Sequence, residues 1–296
     1  MKGFFKSSIG KKVLMSVSGL FLILFLLFHF CMNLVVVFSA EGYNQVCAFL
    51  GSNWYAVAGT VVLAAGFLLH IAYAFILTIQ NRKARGTDRY DSQNLPKDVE
   101  FSSKNMLALG LIVFCGLAAH FAHFWAKMML AELAGCEELA KTASNGAYWI
   151  NYLFNESSLS ILWTIIYLVW FAALWFHLNH GFWSAFHTVG LSNDKWIPRL
   201  KCISKWFSTI ICAGFAFIVI YAACGGVKCD CCHNSCSCGP DGHPCIECVC
   251  PQCDHQAQCG KPGQPGHPGF PGQPGQPGQP CDKPCDKPCQ NAPQGK

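Results

Sequence analysis

The stretch Val13-Leu-Met-Ser-Val-Ser-Gly-Leu-Phe-Leu-Ile-Leu-Phe-Leu-Leu-Phe-His29-Phe-Cys-Met-Asn-Leu-Val-Val-Val-Phe38 contains no charged residue and one histidine deep inside it. Roughly 20 apolar residues at 1.5 Å rise cross the hydrocarbon core of a bilayer, so this run is long enough to span it. Four further apolar runs, at about 54–79, 105–130, 159–187 and 204–224, are also long enough to cross a bilayer. Three of these also carry an interior histidine, at His70, His120 and His177, and the last carries none. An ionisable side chain inside a membrane segment is costly and marks a functional site by default, so four on four separate helices ask for one shared cause.

Composition agrees with this reading. Of 296 residues, 52% are hydrophobic and 12% charged, against roughly 25% charged in a soluble domain. The expected fold is all-α, a bundle of five transmembrane helices over residues 1–224. Lys2, Lys6, Lys11 and Lys12 precede the first run in the manner of a secretory signal. The run exceeds the roughly 7–15 apolar residues of a signal core and no small-residue cleavage site closes it, so it reads as a retained helix.

Cation-rich loops stay in the cytoplasm. Arg82, Lys83, Arg85, Arg89, Lys97 and Lys104 occupy the 80–104 loop, and Lys195, Arg199, Lys201 and Lys205 the 188–205 loop. The 39–53 loop has no cation, and the 131–158 loop has Lys141 beside Glu132, Glu137, Glu138 and Glu156. This places the N-terminus inside a bacterial cytoplasmic membrane and the tail after residue 224 outside, with Trp54, Trp125, Trp196 and Trp206 as interfacial anchors. The net charge of +5 follows from this topology and gives no case for nucleic acid.

Depth sorts the histidines. His29 lies 17 residues after Lys12 and His120 lies 16 after Lys104, which places both roughly 24–26 Å from the inner edge. His70 lies 12 residues before Arg82, and His177 lies 10 before His187, placing both roughly 15–18 Å up. The expected pairs are His29 with His120 toward the outside and His70 with His177 toward the inside, each clamping one haem iron between two helices. Two axial imidazoles leave the iron no open position, so such a haem transfers electrons and does not bind oxygen. The plainer reading, four histidines hydrogen-bonded across helix contacts, explains any one of them but not the match in depth.

His123 and His180 fall three residues beyond His120 and His177 on nearly the same helix faces. Depth favours His120 over His123, and it decides less between His177 and His180. Each ligand is expected to place its second ring nitrogen on a carbonyl or hydroxyl. Gly116 and Gly181 are expected to leave room for a porphyrin face, and His187 to be interfacial.

The segment from Ser16 to His29, the segment Phe176-His177-Leu-Asn-His-Gly181-Phe-Trp183-Ser184 and the order of histidine-bearing spans resemble the cytochrome b subunit of succinate dehydrogenase and fumarate reductase, in its single-subunit, two-haem, five-helix form. The resemblance covers roughly residues 1–224. It implies two haem b groups held by His29, His70, His120 and His177, with His177 taking the position of the family motif. It further implies a flavoprotein subunit and an iron-sulfur subunit on the cytoplasmic face, and exchange of electrons with a membrane quinone, usually menaquinone. Some menaquinone-linked members carry a glutamate two residues before the fourth-span histidine, where this chain has Trp175. Glu41 reads as a solvated loop acid more readily than as a quinone-side proton acceptor. The chain has no dinucleotide fingerprint, no phosphate-binding loop and no domain for a flavin, so it has no catalytic residues for succinate or fumarate on its own. Its basic inner loops are explained by topology before any docking role.

From Cys224 onward the composition changes, with 14 of the 20 cysteines in this region. Residues 225–259 form a Cys-rich segment. In the 260–296 segment, residues 260–280 read as seven Gly-X-Pro triplets and residues 281–289 as Cys-Asp-Lys-Pro repeats. An extended polyproline linker is preferred to a triple-helical stalk. Cys245, Cys248, Cys250 and Cys253, flanked by His243 and His255, suit disulfides first, a soft metal second and a disordered segment third. Cys31, Cys47, Cys115, Cys136, Cys202 and Cys212 read as small core or interface residues. Two other functions fit the same sequence: the cytochrome b of a hydrogenase or formate dehydrogenase, and a membrane-anchored presenter of the cysteine-rich tail.

Overall fold

The computed structural model describes residues 7–51, 53–85, 101–130 and 144–227. The cysteine-rich segment, the Gly-X-Pro triplets and the Cys-Asp-Lys-Pro repeats lie outside the described residues, as do Arg89, Lys97, Cys136, Lys141, Glu132, Glu137 and Glu138. The described part is all-α, with five helices long and apolar enough to cross a membrane. The chain is a multi-pass membrane protein on that ground.

Helix α1, Ser8–Phe38, starts where the Ser7 hydroxyl accepts the Gly10 amide at 3.0 Å, which satisfies one of the orphan amides of a first turn. It ends where Ser39 turns extended, and the Ser39 hydroxyl then accepts the Gly42 amide at 3.0 Å to start α2, Ala40–Gly51. α3 spans Trp54–Arg85. After the one-turn helix α4, Phe101–Lys104, α5 runs from Met106 to His120 and continues as a π-wound segment, Phe121–Leu130. α6, Gly146–Asn151, likewise passes into a π-wound turn, Tyr152–Glu156. α7 is Ser160–Thr188 and α8 is Trp196–Ala223.

Both late spans stop in the same way. Gly190 at φ 116° and Gly225 at φ 74° take the left-handed position that a side chain disfavours. At α7 the Leu191 amide bonds Phe186 and the Gly190 amide bonds His187; at α8 the Gly226 amide bonds Tyr221 and the Gly225 amide bonds Ala222. These four bonds close carbonyls that would otherwise end unpaired in or near lipid.

Several expectations about boundaries and loops are corrected. α8 begins at Trp196, eight residues before the apolar run, because Pro198 fits a first helical turn and the Asn193 side-chain oxygen accepts the amides of Lys195 and Trp196 at 3.1 and 2.9 Å. Within the 39–53 stretch Ala40–Gly51 is a helix, and 146–156 is helical with Ala147, Trp149, Ile150, Leu153 and Phe154 buried. α2 and α6 form a cap over one end of the bundle: the Ala147 amide donates to the Asn44 side-chain oxygen at 2.9 Å. The main apolar core lies at this end. It joins Val36, Tyr43, Ile150, Phe154, Tyr167 and Ile218 from α1, the cap, α7 and α8. Trp125, near the end of its span, stacks on Phe121 at 4.2 Å and lines the cavity, with its indole nitrogen buried.

The spans pack unequally. α7 and α8 lie closely side by side, with Ser204 and Ser208 fully buried between them. Small side chains allow that approach. Over their most apolar windows, α7 and α8 are 28% and 33% buried, but α1, α3 and α5 are 11%, 6% and 6%. α3 packs chiefly on α1, with a smaller contact on α2. A cavity of about 2190 Å³ fills the space left between α1, α3, α5 and α7.

Candidate cofactor site

All four interior histidines line this cavity. His29 on α1 faces His120 on α5 with ring centroids 5.7 Å apart and planes at 87°. His70 on α3 faces His177 on α7 at 6.3 Å and 70°. The structure thus brings together the histidines that share a depth in the sequence.

The neighbouring histidines do not line the cavity. His123 Nδ1 lies 3.1 Å from the Tyr167 hydroxyl, and its ring meets Trp163 edge-on at 4.3 Å. His120 and His123 both lie against Tyr167 of α7, at 6.5 and 6.1 Å, although the backbone changes from α- to π-winding just after His120. His180 packs edge-on against Trp183 at 5.0 Å, and the exposed His187 ring lies beyond Trp183 at 6.4 Å.

The two pairs have different surroundings. Around the outer pair, Phe25 stacks on His29 at 5.4 Å, and Phe124 and Trp170 lie 5.1 and 5.8 Å from His120. Around the inner pair the neighbours are glycines. A Cβ on Gly19 would lie 3.5 Å from His70, and one on Gly110 would lie 3.6 Å from His177. Sequence reading missed both; the available signal was their place on the same helices as the ligand candidates. Gly181 lines the cavity as expected. Gly116 does not, because the Trp170 indole occupies the place of its missing side chain and donates to the Val113 carbonyl at 3.0 Å.

Hydrogen bonds orient two of the four rings. The Ser18 hydroxyl donates to the Met15 carbonyl at 3.0 Å and lies 3.3 Å from His70 Nδ1. With its proton committed, the Ser18 oxygen accepts from Nδ1–H, which leaves the Nε2 lone pair of His70 free for a metal. At His29 the Asn33 amide nitrogen donates to the backbone carbonyl at 2.8 Å and lies 3.3 and 3.4 Å from the two ring nitrogens. His177 Nδ1 is buried and has no hydrogen-bond partner among the described residues.

A bis-imidazole haem fits these positions. Two imidazoles bound through about 2 Å bonds on opposite sides of one metal put their centroids about 6.3 Å apart. The inner pair stands at that separation and the outer pair is 0.6 Å closer. The cavity volume exceeds the roughly 300–1,000 Å³ of a single small-molecule pocket. Among the described residues no group of three or more His, Cys, Asp or Glu forms a metal site. Trp175, which stands where some relatives of the resembled family have a glutamate, donates to the Thr209 hydroxyl at 3.0 Å toward α8. Glu41 is exposed in the first turn of α2.

No protein-family model, curated protein or solved structure matches the chain. The similarity to the two-haem cytochrome b family therefore rests on the motifs quoted above.

Proposed function

We propose that this protein is an electron-transfer subunit of a respiratory membrane complex and binds two haem b groups, one between His29 and His120 and one between His70 and His177. Haem bound in this way supplies reversible one-electron transfer without an open coordination position. The chain's own residues present the four imidazoles at two levels and hold His70 in the tautomer that offers Nε2 through Ser18. They leave glycine surfaces beside the inner pair, and they seal one end with the apolar cap. The observation that carries the reading is the pairing of four histidines from four separate spans around one cavity.

The motif resemblance extends the proposal to the anchor subunit of a succinate dehydrogenase or fumarate reductase, working with a flavoprotein and an iron-sulfur subunit on the cytoplasmic side and a membrane quinone, menaquinone in this type. The cation-rich loops support an inside N-terminus in the bacterial cytoplasmic membrane.

The test is a redox-titrated visible spectrum of the purified full chain with haem quantified per polypeptide. Two b-type haems are expected, with the outer one lost on His120→Ala and the inner one on His70→Ala. A colourless protein that takes up no haem on reconstitution overturns the reading. Co-purification of a covalent-flavin subunit supports the succinate or fumarate assignment, and a molybdenum or nickel partner moves the chain to a formate dehydrogenase or hydrogenase.

A further inference from the structure

Asn33 is an amide inside a membrane span, where a polar side chain is retained only with partners. It lies one helical turn beyond His29 and is gripped at both ends. Its nitrogen donates to the His29 carbonyl at 2.8 Å, and its oxygen accepts from the Tyr43 hydroxyl at 3.0 Å. The first bond fixes which end is oxygen, since only the NH2 group can donate to a carbonyl. The nitrogen lies at nearly equal distances, 3.3 and 3.4 Å, from Nε2 and Nδ1 of His29, so the amide rests against the imidazole and opposes its rotation.

Tyr43 does not belong to the span. It is buried in α2, within the cap core, and α2 is tied to α6 through Asn44 and the Ala147 amide. A continuous polar chain therefore runs from the cap through Tyr43 and Asn33 to the ring of His29. Among the described residues nothing comparable reaches His70, whose partner Ser18 lies within the bundle.

We propose that Asn33 and Tyr43 are positioning residues: the cap sets the ring orientation of His29 through them, and so tunes the outer haem independently of the inner one. This rests on the two-haem reading above. A side chain that clamps an axial imidazole controls both ring orientation and ligand basicity.

The test compares the parent full chain with Tyr43→Phe and Asn33→Leu in detergent, by haem content, electron paramagnetic resonance of the oxidised protein and potentiometric titration. The outer signal is identified as the one absent from His120→Ala. Both variants are expected to keep two haems, to shift the g-anisotropy and midpoint potential of the outer haem, more in Asn33→Leu than in Tyr43→Phe, and to leave the inner haem unmoved. Asn33→Gln, which keeps the amide but displaces it, is expected to keep both haems without matching the parent potential of the outer one. Variants whose outer haem matches the parent overturn the inference, and so does equal disturbance of both haems, which would mark a general packing defect. Absence of haem from the parent itself instead overturns the two-haem reading.

Discussion

Ser18 shows how one hydroxyl governs the chemistry available to a neighbouring ring. Because it donates to Met15 and accepts from His70, it raises the basicity of His70 and favours the oxidised form of a metal bound at Nε2. Ser18→Ala is therefore expected to raise the midpoint potential of the inner haem and leave the outer haem unchanged, as read by potentiometric titration. Of the proposed site residues, the four histidines were legible in the sequence because imidazoles stand out in long apolar runs and their depth can be counted from Lys12, Arg82, Lys104 and His187 at the inner ends. Ser18 and Asn33 were not legible. Small polar residues in membrane helices usually serve helix packing, and only the fold reveals that one faces His70 and the other is reached by Tyr43 from outside the span.

At the level of the element, the spans were legible and their connections were not. An apolar run of bilayer length has only one solution, a helix. The 39–53 and 131–158 stretches show no comparable run, and their helices form because the cap buries Tyr43, Ile150 and Phe154 together. Gly116 shows the same limit: its small size suggested space for a ligand, and the structure gives that space to Trp170. Gly116→Ala is expected to displace the indole, break its bond to Val113 and lower stability by about 1–3 kcal/mol, seen as a lower thermal midpoint in detergent. The cap carries its own pH dependence. Burial pushes the Tyr43 phenol well above its ordinary range, and pushes the Cys47 thiol from 9.0 to about 11. An acid that is harder to ionise when folded contributes stability that is full below its unfolded pKa and lost as pH rises through the folded value. Cap stability should accordingly fall as pH climbs from 9.0 toward about 11, and Cys47→Ala should flatten this decline in thermal unfolding measured across that range.

On the scale of the molecule, the five candidate spans among the described residues put the two ends of the bundle on opposite faces of the membrane. The charge bias predicts that a reporter fused after residue 224 is active on the outer face and one fused within the 188–205 loop is not. The same five helices divide into a closely packed pair, α7 and α8, and a looser set in which α3 is only 6% buried over its apolar window. α3 packs chiefly on α1, and on the two-haem proposal a cofactor held between His70 and His177 would add a second attachment to α7. Biogenesis should then depend on pigment supply: in cells starved of porphyrin synthesis, α3 would be released into lipid and the newly made polypeptide cleared by membrane proteases, so accumulation would track haem availability more closely than transcript level.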